Sequence, residues 1–201
     1  MNAVSAPEAA AARSRSDRLS AATDALHEQL HGLVAAADPF GARARYATWV
    51  GVQYRYHGEI EPLYRLPVLQ SVVPDLGERG RVAAAAADLA DLGQPLPALA
   101  PRDPAGVSVP EALGWLFVAE GSTLGAAVLL KRAQALGMSE THGARHLAAA
   151  PEGRARHWKA FVTALDALEL DEAQERALVA AALAAFRRFA ALIAEAYRLP
   201  A

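Results

Sequence analysis

Cysteine is absent from the 201 residues. That excludes disulfides, thiolate zinc sites, iron–sulfur clusters and cysteine nucleophiles. It also suits a reducing cytoplasm, the expected location. A basic excess is missing too: 20 Lys and Arg face 22 Asp and Glu, for a net charge of −2. Nucleic-acid binders usually carry a strong positive surplus, so that class is set aside. No apolar run reaches about 18 residues without a charge, so no membrane span is expected. The opening MNAVSAPEAAAARSRSDR lacks the apolar core of a signal peptide. Residues 1–14 are expected to form a loose tail, and residues 15–201 a single domain acting as a monomer. Runs of β-branched residues are scarce.

What is abundant is alanine, which dominates a 53% apolar composition. Alanine has the best helix propensity, so the fold class read from composition is all-α. Leu19, Ala22, Leu26, Leu30 and Leu33 recur at spacings of three and four and predict a first helix over 16–33. Asp38-Pro39 reads as N-cap and first residue of a second helix, with Tyr46, Trp49, Val50, Gln53 and His57 on one face and a kink or restart at Pro62. Pro74 is expected to open a third helix reaching Asp91. Five prolines between Pro95 and Pro110 mark an extended strap across the surface. Ser108-Val-Pro-Glu111 is a capping box that starts the longest apolar helix, ending near Gly137. THGARHLAAAPEG reads as loop with one short helix. Two further helices follow, the last opening at Asp171-Glu172, where negative charge meets the helix dipole.

Gly114, Gly121 and Gly125 interrupt this long apolar helix, each costing roughly 1 kcal/mol relative to alanine. Gly121 and Gly125 are four apart and share a face. Two readings stand: close helix–helix packing through small residues, or backbone contact with a flat ligand. With Ser122 between them, the glycines also permit a kink. Glu120, inside the same stretch, needs a partner if buried.

Six histidines are present. His27 and His31 lie four apart on the first helix and share a face. The spacing suits a metal pair, but no convincing third ligand is visible, and the residues alone favour two amphipathic surface histidines.

The stretch EALGWLFVAEGSTLGAAVLLKRAQ, with the later HGARHLAAAPEGRARHWKAFVTALDALEL, resembles the bacterial haem oxygenases that produce biliverdin. The resemblance runs from about Arg18 to Leu199. It implies a single all-α domain with haem b, both substrate and cofactor, held between the first helix and a kinked distal helix. Gly121 and Gly125 would crowd the haem face where oxygen binds, with Ser122 holding water. Thr23-Asp-Ala-Leu-His27 fits the family's T-x-x-x-H pattern, which makes His27 the implied iron ligand. Gln53 stands at a position that resembles a distal-pocket glutamine. The implied partners are haem, O2 and an electron donor such as a ferredoxin, flavodoxin or reductase, and the implied products are biliverdin, carbon monoxide and ferrous iron. The chain departs from the pattern twice. His31 stands where several relatives have a carboxylate able to accept the ligand's second N–H. Phe117, expected against the haem, stands where a tyrosine often contacts a propionate. Arg18 is then the best-placed propionate cation, with Arg15 and Lys159 behind it. His142, His146 and His157 are expected to serve loop hydrogen bonding. A haem carrier without turnover is the alternative to the enzyme; an unrelated helical scaffold, which binds no haem, is the third reading.

Overall fold

The computed structural model describes residues 13–200, so all but the last two residues of the expected tail lie outside the described residues. Seven α-helices follow in order: α1 (Arg15–Ala37), α2 (Arg43–Tyr64), the single turn α3 (Pro67–Gln70), α4 (Val82–Asp91), α5 (Val109–Ala135), α6 (Arg154–Asp166) and α7 (Glu172–Tyr197). No β-strand occurs among the described residues, and the all-α expectation holds.

Local chemistry explains most of the boundaries. Ser14 caps α1 by accepting the Asp17 N–H. The Ser108–Glu111 capping box forms as expected, and Asp171 builds a second one with Gln174. Asp38 corrects the sequence reading. It ends α1 rather than starting α2, with φ at 38° and its N–H on the carbonyls of Val34 and Ala35. Asparagine and aspartate tolerate the left-handed region, so an Asp-Pro pair serves a helix end as readily as a start. Pro62 lies inside the last turn of α2, and the chain restarts only at Pro67. The third long helix likewise starts at Val82 and not at Pro74. Asp75 takes a φ of 55°, a 3-10 turn spans Leu76–Glu78, and Arg79 Nε donates to the Pro74 carbonyl at 3.0 Å.

Helices α5 and α7 pack together as the centre of the fold. Gly114 is the point of closest approach: a Cβ there would stand 2.4 Å from the Leu178 carbonyl oxygen. Both helices are long and apolar enough to cross a membrane by length and composition alone, but about half of each apolar window (56% and 44%) is buried inside the fold. The proline-rich segment is a strap, as expected. Leu99 fits over Gly58 of α2, the Arg102 N–H donates to the Glu59 carbonyl at 2.8 Å, and the Arg102 guanidinium lies 3.7 Å over the Trp115 ring. Helix α1 packs on α7 and α6, and a cavity separates it from α5.

Candidate active site

The cavity has a volume of about 670 Å³, inside the range of small-molecule and cofactor sites. Helix α1 forms one wall with Thr23, His27 and His31; α5 forms the opposite wall with Phe117, Gly121, Ser122 and Gly125. Gln53 and His57 of α2 and Phe186 and Phe189 of α7 close the sides. The two chain segments singled out for the sandwich therefore do face each other.

The two distal glycines do different work. A Cβ on Gly125 would meet nothing within 4 Å, so its missing side chain leaves open space. A Cβ on Gly121 would touch the Trp158 ring at 3.5 Å, ordinary contact. Close packing through a small residue belongs instead to Gly114. Helix α5 runs unbroken through this region. Ser122 Oγ donates to the Ala119 carbonyl at 2.7 Å and Thr123 Oγ1 to the Glu120 carbonyl at 2.6 Å. The Ser122 proton is thus committed to the helix, which leaves its hydroxyl oxygen as an acceptor in the cavity lining. Phe117 is buried, its ring 5.2 Å from that of Trp158.

On the opposite wall, the His27 side chain is about half exposed and meets the Phe186 ring edge-on at 6.0 Å. The His27 and His31 rings lie 4.2 Å apart, tilted at 58°, and no hydrogen bond joins them. His31, at the position where several relatives carry a carboxylate able to accept the ligand's second N–H, makes no such bond to His27 in this arrangement.

Sequence reasoning missed the unpartnered polar atoms of the cavity wall. Trp49 Nε1, Tyr56 Oη, His57 Nδ1 and His146 Nε2 are all buried, and none has a partner in the protein. All four residues line the cavity. Buried polar atoms left without a partner are costly, so this lining suits water or a ligand. Burial holds the His57 imidazole neutral, lowering its pKa to about 3. His146 Nδ1 lies 2.8 Å from Asp88 Oδ2, and the Asp88 oxygens also accept the backbone N–H groups of His146 and Arg145 at 2.9 Å. Burial pushes the Asp88 carboxyl up, but the hydrogen bonds from His146 and Arg145 outweigh it and keep Asp88 ionised. Burial also lowers the His146 pKa, favouring the neutral ring. An ionised Asp88 then fixes the proton on Nδ1 and leaves Nε2 as an acceptor facing the cavity.

The HGARHL segment gains a purpose from this geometry. Gly143 turns with φ of 73°, its N–H donates to Asp91 at 2.8 Å, and Tyr46 Oη donates to its carbonyl at 2.8 Å. Arg81 donates to the carbonyls of His146 and Ala148. The loop docks on α4 and delivers His146 to the wall. Its sequence signal was two aspartates, Asp88 and Asp91, in an otherwise alanine-rich helix.

Behind the distal wall, Glu120 finds the partners that its burial demands. Tyr64 Oη and Arg79 each donate to it at 2.9 Å, and His157 Nε2 stands 3.2 Å away. His157 also reaches Glu152 at 2.6 Å. These bonds fix α6 beside α5 and set Trp158 against Gly121.

The expected propionate cations are not brought to the cavity. Arg15 and Arg18 both pair with Glu175 of α7 in a separate cleft, and Arg15 also caps α6 through the carbonyls of Leu165 and Leu168. Lys159 does not line the cavity either. Arg81 and Arg132 are the cations that do, among the described residues.

Comparisons with known proteins agree with this geometry. The family model described as Heme oxygenase matches residues 13–195. The chain is 47% identical to heme oxygenase PigA of Pseudomonas aeruginosa over 190 residues, covering 94% of this chain and 96% of the relative. It superposes with a TM-score of 0.88 on the heme oxygenase of Neisseria meningitidis, solved with NO and CO bound; identity is 36%, with 94% of this chain and 95% of that one covered. A heme oxygenase structure from Leptospira interrogans, at 17% identity and a TM-score of 0.72, shares the fold. A cavity between a histidine-bearing helix and a glycine-bearing helix, in a chain with these relatives, has one reading: the protein belongs to the haem oxygenase family and is a haem-degrading enzyme.

Proposed function

We propose that this enzyme cleaves haem with O2 and reducing equivalents to biliverdin, carbon monoxide and ferrous iron, with His27 as the axial ligand of the iron. One observation carries the reading: His27 faces Gly125 across a largely apolar cavity, and Gly125 offers open space where any side chain would intrude. The residues present fit haem. A largely apolar cavity is available, an imidazole stands on one wall, and a few unpartnered polar atoms line it.

When bound, haem supplies the iron that activates oxygen and the porphyrin that is cut. The protein positions and hydrates. Phe117, Phe186 and Phe189 contribute apolar rings to the lining that holds the macrocycle. Gly125 leaves room at the distal face, and Gly121 admits the Trp158 ring behind it. Gln53, the Ser122 lone pairs, the neutral His57 ring and His146 Nε2 can bind ordered water, and so hold protons near the reacting edge. Arg132 is the cation that fits a propionate: it lines the cavity, is about half exposed, pairs with Asp38 at 3.8 Å, and lies 4.7 Å over the Phe40 ring. Arg81 is committed to the carbonyls of the His146 loop. The electrons come from a carrier protein of the ferredoxin, flavodoxin or reductase class.

Mixing the protein with haem, O2 and a reductant should convert the Soret band to biliverdin absorption, while His27→Ala should lose both the axial imidazole signature and turnover. A wild-type protein that holds haem but never releases biliverdin overturns the proposed reaction and leaves a carrier. Normal ligation in His27→Ala overturns the ligand.

A further inference from the structure

His27 belongs to a second constellation. Ligand atoms of His27, Glu28 and His31 all lie within 4.8 Å of one another. Glu28 Oε1 stands 4.0 Å from His27 Nδ1 and 3.8 Å from His31 Nδ1, so the carboxylate is close to both rings. The sequence alone offered the histidine pair without a third ligand; the helix supplies one from the residue next to His27. Two imidazoles and a carboxylate are a donor set suited to zinc and its first-row neighbours. All three side chains are at least about half exposed, so they can turn without disturbing the core.

Zinc takes imidazole nitrogen at about 2.0–2.1 Å in tetrahedral geometry, which places ligand atoms about 3.3 Å apart. The ligand atoms must close from within 4.8 Å, and the exposure of all three side chains leaves them room to turn. The rings are already neighbours, at 4.2 Å between centroids. Water can complete the fourth position.

We propose that the haem-free protein binds one divalent cation of the zinc class through His27, Glu28 and His31. Because His27 is also the proposed iron ligand, this cation and haem exclude each other. The exclusion rests on the haem reading above; the cation site does not.

Calorimetric titration of the haem-free full chain with zinc chloride tests the site, and the visible spectrum of added cobalt(II) reports its coordination. One equivalent of zinc should bind to wild type. His31→Ala and His27→Ala should each weaken it tenfold or more, and Glu28→Gln severalfold. Haem-loaded protein should bind no zinc at this site, and Glu28→Gln should take up haem like wild type. Zinc affinity unchanged in His31→Ala overturns the site. Zinc bound equally well by haem-loaded protein overturns the exclusion. Zinc lost in His27→Ala while the haem spectrum is indifferent to that change overturns the haem ligand and leaves the cation site standing.

Discussion

A histidine ring without a partner is an energetic statement. His57 is fully buried, its Nδ1 is unpaired, and burial lowers its pKa from 6.5 to about 3. The unfolded chain therefore takes up a proton near pH 6.5 that the folded protein refuses until about pH 3. Stability falls with falling pH across that window, by as much as ~1.4 kcal/mol per pH unit from this residue. Urea denaturation of the haem-free protein at several pH values should show wild type losing stability relative to His57→Gln between pH 6.5 and 3. Parallel curves for the two proteins would mean that the ring is not held neutral by burial. His146 shows the other way to hold a buried ring, with Asp88 paired to one nitrogen and the second left free for the cavity.

Within α5, three glycines that look alike in sequence separate by what surrounds them. Gly114→Ala would put a Cβ 2.4 Å from the backbone of α7, which must move. A cost of about 1–3 kcal/mol in thermal or chemical denaturation is expected. Gly125→Ala meets no atom within 4 Å, so the same substitution should stabilise the haem-free helix by up to about 1 kcal/mol. Gly125→Leu should fill the cavity and stop biliverdin formation in a folded protein. If Gly114→Ala and Gly125→Ala shift stability alike, the packing seam has been misplaced. Helical periodicity and the Ser108 capping box made α5 legible in the sequence, because both signals are local. Which glycine packs and which opens depends on α7 and Trp158, whose positions no local signal carries. The Asp38-Pro39 boundary failed for a related reason: the same dipeptide suits either side of a helix junction, and burial of Pro39 and Phe40 against the core decides between them.

For the whole molecule, the cavity makes α1 the wall with least support. Most of its residues are partly or fully exposed, and it meets the rest of the fold through α7 and α6. A ligand filling the gap ties α1 to α5. Haem at a free concentration of 100 Kd should add about 2.7 kcal/mol. For a chain of this size that raises Tm by roughly 5–10 °C. Differential scanning of wild type with and without haem should show the shift, and His27→Ala should lose most of it. An equal shift in both proteins would mean that the histidine contributes nothing to holding the ligand.

By itself the sequence determined the helical class, the long glycine-bearing helix with its cap, the strap at the prolines, and the family resemblance that pairs His27 with Gly125. These follow from propensity, periodicity and capping, which act within a few residues, and from motifs read in order along the chain. Only the tertiary structure decided where the charges go. It sent Arg15 and Arg18 to Glu175, brought Arg132 and Arg81 to the cavity, and gave Glu120 its buried partners. It also left polar atoms of Trp49, Tyr56, His57 and His146 unpartnered along the cavity wall. Long polar side chains reach partners across helices, and a buried atom's need for a hydrogen bond is settled by whatever the fold places beside it.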